Sequence, residues 1–148
     1  IMETFLAKMR RLQGVRKVLL LEEAWKAIAK EGMASYVKYL YKTVRKYFGE
    51  AIVVTQEVED IISSPIVKES IINNADCKIL LDQRKYRNKF DQIQTLLGLT
   101  DKERAQVLSI NLSNDPARRY KEVFISLGGV QSAVYATEVS DEEYLVRP

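Results

Sequence analysis

KVLLLEEAWK, residues 17–26, sets four uninterrupted apolar residues, Val18 to Leu21, directly before two acids, Glu22 and Glu23, with Ala24 and Trp25 behind them. A run this continuous reads as a strand covered on both faces. The paired carboxylates at its end have two readings. Acids in the first turn of a following helix gain roughly 0.3–1 kcal/mol each from the helix dipole. Acids at the C-terminal end of a strand can instead hold magnesium and activate water beside a phosphate. The segments downstream separate the two.

Working outward, apolar runs alternate with segments of helical period, the pattern of an α/β fold. VRKVLLL (15–21) is the first buried strand, and EAWKAIAK starts a helix after it. Beyond Gly32, MASYVKYLYKTVRKYF (33–48) carries Val37, Leu40, Tyr41, Val44 and Phe48 at helical spacing. Lys38, Lys42, Arg45 and Lys46 lie largely off that stripe. Gly49 is the expected helix stop, and AIVVT (51–55) a second short buried strand. QEVEDII follows as helix or loop; Ser64–Pro65 starts a helix through IVKESIINN, and DCKILLD (76–82) is the third strand.

YRNKFDQIQTLLG places Phe90, Ile93, Leu96 and Leu97 on one helix face, with Gly98 as its stop. Thr100 and Glu103 form a capping box for DKERAQVLSI. EVFISL (122–127), Gly128–Gly129 and SAVYATE (132–138) read as two strands joined by a short turn, and Ser140 with Glu143 caps a last short helix. The expected architecture is a single α/β domain over residues 1–148. Its sheet is mostly parallel, with flanking helices and a C-terminal antiparallel strand pair.

Composition narrows the chemistry. The 148 residues are 47% hydrophobic and 29% charged, an ordinary make-up for a folded globular domain. Histidine is absent, which excludes a Ser-His-Asp triad, a Cys-His pair and a His-ligated zinc site within the chain. The lone Cys77, in ADCKILL, cannot form an internal disulfide and reads as a small core residue in a reducing setting. The opening IMETFLAKMRRLQG lacks the apolar core and cleavage site of a signal peptide. It reads as the end of an amphipathic helix whose beginning lies upstream. A net charge of +3 is too small to imply a nucleic-acid partner.

Three features fall at the C-terminal ends of the expected parallel strands, where ligands bind in open α/β sheets: Glu22–Glu23, Thr55–Gln56 and Asp82–Gln83–Arg84. Phosphoryl transfer to water needs one acid for the metal, a second for the attacking water, and a polar side chain at the terminal phosphate.

LLLEEAWK resembles the Walker B segment of the type IV secretion and conjugation ATPases, an apolar run followed by Asp-Glu-Ala-Trp. VVTQEVEDI resembles the next motif of that family, an apolar strand ending in Thr-Gln. RKYF before it, NNADCKILLDQ and LGLTDKERAQVLSI after it, and the closing strands follow in the family's order. The likeness is to TraG-type conjugative-transposon ATPases and runs from residue 15 to about 145. It implies a partial RecA-like P-loop NTPase domain. Glu22 would then coordinate magnesium through water and, with Thr55, contact the nucleotide; the family usually has Asp at that position, so the arm here is longer. Glu23 would activate water, and Gln56 would read the terminal phosphate. Arg45 would reach a neighbouring subunit's nucleotide, its alternative being an ordinary solvated helix charge. Arg84 is a further basic candidate, and Trp25 fits core packing better than a nucleotide contact.

The family pattern is broken in one place. None of the six glycines has the spacing of G-x-x-x-x-G-K-[ST], so the loop that cradles phosphates is not in this chain. The resemblance therefore implies the C-terminal portion of a larger ATPase domain. Mg2+ and ATP would be cofactors of the intact parent, neither held tightly here. Partners would be other subunits of the same ATPase in a hexamer and secretion-channel components, at the cytoplasmic side of the inner membrane. One alternative is a non-catalytic assembly module. Another is a nucleic-acid-binding domain using Lys38, Lys42, Arg45, Lys46, Arg118 and Arg119, which the small net charge disfavours. In the family's sheet the phosphate-loop strand separates the strands at 51–55 and 76–82, so both edges here lack it and become pairing sites. Self-association, swapping of elements or a rearranged sheet is therefore expected; a strictly monomeric chain by light scattering, with the ordinary sheet order, contradicts that expectation.

Overall fold

The computed structural model describes residues 2–22, 31–56, 65, 72–113 and 120–146. The chain divides into two compact units, Ile1–Asn74 and Ala75–Pro148. The segments EAWKAIAK, QEVEDII and most of the expected helix after Ser64 lie outside the described residues.

In the first unit, α1 (Met2–Arg11) leads to β1 (Lys17–Glu22), and α2 (Glu31–Thr43) continues through a 3-10 turn (Val44–Tyr47) into β2 (Gly49–Val54). β1 and β2 pair in parallel, from Lys17 opposite Gly49 to Glu22 opposite Val54. The helical stripe expected on α2 is the one that packs. Leu40 and Val44 join Met9 of α1 in a buried cluster, with Phe5, Leu6, Leu19, Leu21, Tyr47 and Ala51 against it. Tyr41 is mostly buried too, and burial pushes its phenol up to about 12.

Two expectations change here. The sequence predicts β1 and β2 buried on both faces, whereas exposure alternates along each. α1 and α2 cover only the face carrying Leu19, Leu21 and Ala51, leaving Val18, Leu20, Ile52 and Val54 exposed. Gly49 was expected to stop the helix, but Phe48 takes the left-handed conformation instead, at φ 54°. Gly49 is small for another reason: a Cβ there would sit 2.6 Å from Val44 Cγ2 and 3.1 Å from the Val44 carbonyl oxygen. Phe48 therefore leaves the apolar stripe and becomes exposed.

The second unit holds β3 (Cys77–Leu80), a 3-10 stretch (Arg84–Lys89), α3 (Phe90–Leu97), α4 (Asp101–Ser109), β4 (Tyr120–Leu127), β5 (Gln131–Glu138) and α5 (Asp141–Val146). Its sheet runs β3-β4-β5, antiparallel throughout. The antiparallel portion thus takes in β3, which the sequence reading groups with the parallel strands. Cys77 is exposed rather than buried, because strand alternation places it outward, opposite the exposed Leu127. Gly98 ends α3 in the left-handed region, as its position predicts. Phe90, Ile93, Leu96, Leu99, Val107, Ile110 and Phe124 form the buried apolar set.

The capping box closes as expected. Thr100 Oγ1 accepts from the Glu103 N–H at 3.2 Å, and Glu103 Oε2 accepts from the Thr100 N–H at 2.9 Å. The buried Glu103 also accepts from Ser126 Oγ of β4 at 3.1 Å, so one carboxylate caps the helix and ties it to the sheet. The Thr100 N–H bond, helped by Ser126, holds the Glu103 carboxyl below its ordinary 4.5, against the opposing pull of burial. A depressed carboxylate stabilises the fold above its unfolded pKa and ceases to do so as pH falls through the folded one. Glu103→Gln should therefore lower the melting temperature at neutral pH, with the gap from wild type closing below pH 4.5. Thermal melts across pH 3–7 check this; a gap independent of pH contradicts it.

Candidate active site

The parallel pairing of β1 and β2 decides where the strand-end residues go. Glu22 is the last residue of β1 and Val54, its partner, the last of β2. Thr55 and Gln56 follow at once. Strands lie about 4.8 Å apart and advance about 3.3 Å per residue, so the Glu22 and Gln56 backbones are on the order of 10 Å apart at one rim. Glu22 and Gln56 are exposed and Thr55 is half-buried. Alternation puts Glu22 on the open face of the pair, at the end of the stripe formed by Val18, Leu20, Ile52 and Val54.

Among the described residues Glu22 has no ion-pair partner, unlike Asp82, Asp91 and Glu50. An unneutralised carboxylate at a strand end is a hard oxygen donor of the kind magnesium takes alongside water and phosphate. Glu23 and Trp25 lie outside the described residues. Arg45 is not brought to this rim. It is exposed in the turn before β2, and the length of that strand holds it roughly 20 Å from Gln56.

Asp82 and Arg84 belong to the second unit and engage each other. Arg84 Nε lies 2.9 and 2.8 Å from the two Asp82 oxygens, and the Arg84 N–H donates to the same carboxylate at 3.0 Å. The Arg84 guanidinium, its backbone N–H and Asn111 hold the Asp82 carboxyl below its ordinary 3.8, while partial burial pulls it upward. Sequence reasoning missed Asn111. It sits in the left-handed region at φ 54° just past α4. Its N–H donates to Glu122 Oε2 at 2.7 Å, and its Oδ1 accepts from the Glu122 N–H at 3.0 Å. Asn111 is thus a positioning residue that fixes the Asp82 loop to β4. An Asn directly after an expected helix is the signal that could have found it.

Residues 1–147 match the TraG P-loop domain.

The chain belongs to that family.

CagE, a type IV secretion system protein of Helicobacter pylori, is 32% identical over 92 residues, which is 62% of this chain and 9% of CagE. VirB4 of Thermoanaerobacter pseudethanolicus shares the fold, with a TM-score of 0.67 and 23% identity over 95% of this chain and 36% of that one. This TraG P-loop domain chain therefore spans about a tenth of one relative and about a third of the other. It has the mixed α/β architecture expected of a TraG P-loop domain. No helix among the described residues is long and apolar enough to cross a membrane.

The Asp82 cluster yields a direct check. Carboxyl titration by NMR should find Asp82 moved upward in Arg84→Gln and, by less, in Asn111→Ala. An unmoved Asp82 in both variants contradicts the contacts described.

Proposed function

We propose that this chain is the Walker B and sensor portion of an ATPase that powers conjugative transfer or type IV secretion. The observation that carries the reading is the emergence of Glu22 and Thr55–Gln56 from the same end of two hydrogen-bonded parallel strands. Magnesium-bound ATP in the intact parent supplies the labile terminal phosphate and an electrophilic centre. Glu22 would hold the metal through water, and Thr55 would lie beside the nucleotide. Glu23 accepts the proton of the attacking water. Gln56 orients that water against the terminal phosphate. Arg45, at the far end of the strands, fits a role toward a neighbouring subunit's nucleotide better than toward its own.

The 148 residues form the C-terminal portion of a larger ATPase domain whose phosphate-binding loop, absent from this sequence, completes the site. Without the loop's amides and lysine nothing offsets the phosphate charge, so the chain alone is inactive. Its partners are other subunits of the same ATPase, arranged as a hexamer, and secretion-channel components. It works in the cytoplasm, peripheral to the inner membrane.

Replacing Glu23 in the intact ATPase tests the catalytic assignment. Glu23→Gln should reduce hydrolysis at least 100-fold with nucleotide binding retained, the loss typical of a removed general base. Unchanged hydrolysis would instead favour a non-catalytic assembly module. Isothermal titration of the isolated chain should find no micromolar Mg-ATP affinity; such affinity would refute the account of the missing loop.

A further inference from the structure

The sheet of the second unit has one covered face and one open one. α4 lies against the covered face, where Ser126 of β4 meets Glu103 and Phe124 is fully buried. Alternate residues point the other way. There the strand pairings set Ile79 beside Ile125 and Val123 beside Tyr135, and alternation carries Leu81, the residue after β3, to the side of Ile79. Leu81 is 62% exposed, and Ile79 and Tyr135 are exposed with it. Single exposed apolar residues are ordinary, but a contiguous patch of them marks a contact surface.

Cations border the patch. Lys121 is exposed on the same face, two residues before Val123. Past Leu81 the 3-10 stretch Arg84–Lys89 exposes Lys85, Arg87 and Lys89, besides the Arg84 that Asp82 holds. This stretch leads into the N-terminus of α3, where the helix dipole disfavours positive charge. Three further cations there do nothing for the helix, so their place is explained by what they face. A partner for this surface has to bring acids and apolar groups together. The phosphates of a nucleic acid would answer the cations but leave an aliphatic patch with one exposed aromatic uncovered.

The chain itself carries such an element. α5 opens with Asp141, Glu142 and Glu143 and closes with Leu145 and Val146, which are 84% and 80% exposed. Acids in a first helical turn are ordinary; two apolar side chains almost wholly in solvent beside them are not. At 1.5 Å per residue α5 is about 9 Å long. Its acids and its apolar pair thus span the same short reach as Leu81 and the cations that follow it. The exposure of Leu145 and Val146 also shows that α5 does not cover the patch of its own chain.

We propose that α5 of one copy docks on the patch of the next, with Leu145 and Val146 against Ile79, Leu81 and Tyr135 and the three acids toward Lys85, Arg87 and Lys121. Element and surface differ, so the contact is head-to-tail and repeats from copy to copy, the type that closes a ring. The proposal deepens the hexamer reading given above, on which it rests, by naming the surfaces that two subunits share.

Sedimentation velocity of the 148-residue chain without nucleotide tests it; hydrolysis plays no part, so failure of the ATPase reading does not enter. Self-association should rise with concentration and weaken with added salt. Glu142→Lys and Arg87→Glu should each weaken it about tenfold, and the two together in one chain should restore it. Leu81→Ser and Leu145→Ser should each weaken it about tenfold as well. Melting curves confirm that each variant folds. Four results would overturn the proposal: a monomeric wild type, association indifferent to these variants as pairing through strand edges would give, no recovery in the double variant, or a chain that stays monomeric while binding a single-stranded oligonucleotide.

Discussion

The in-register parallel pairing of β1 with β2 is the constraint on which the rest depends. Parallel neighbours send their C-terminal ends to one side, so residues that follow two separate apolar runs in the sequence become neighbours in space. Glu22 and Gln56 are 34 positions apart (56 − 22) and still share a rim. The same constraint carries Arg45, only 11 positions before Gln56, to the far end. Sequence distance and spatial distance are thus inverted around β2. The pairing in turn rests on close packing beneath it, where Gly49 gives Val44 room to approach and Met9, Leu40 and Val44 cover one face.

The second unit is held by a different device. Glu103 is buried and charged, a costly state unless its oxygens are satisfied. Here they are, by the Thr100 N–H and hydroxyl and by Ser126. A carboxylate placed by a capping box also fixes helix α4 against β4. Asn111 and Glu122 repeat the same logic at the other end of the helix, exchanging two backbone-to-side-chain hydrogen bonds. Between them these two clamps set the position of α4 at both ends.

Local chemistry explains which features could be read from the sequence. The Thr100–Glu103 and Ser140–Glu143 boxes, the Gly98 stop and the Gly128–Gly129 turn each depend on a few adjacent residues, and each is present. Features set by tertiary contact were harder. Val18, Leu20, Ile52 and Val54 look core-like because their composition records hydrophobicity, not which face a helix will cover. Gly49 looks like a helix stop, yet its small size serves a close approach to Val44, which no local pattern encodes. β3 reads as one more parallel strand because a short apolar run carries no mark of direction. Of the candidate site, the strand-end placement of Glu22, Thr55 and Gln56 was legible from apolar runs alone; the distance of Arg45 from them was not.

One measurement addresses the shared rim most directly. In a Cys77→Ser background, spin labels attached through Glu22→Cys and Gln56→Cys can be compared with labels attached through Arg45→Cys and Gln56→Cys by pulsed electron resonance. Parallel in-register strands require the 22–56 distance to be clearly the shorter of the two. A 22–56 distance equal to or longer than the 45–56 distance would contradict a common rim, and with it the site built there.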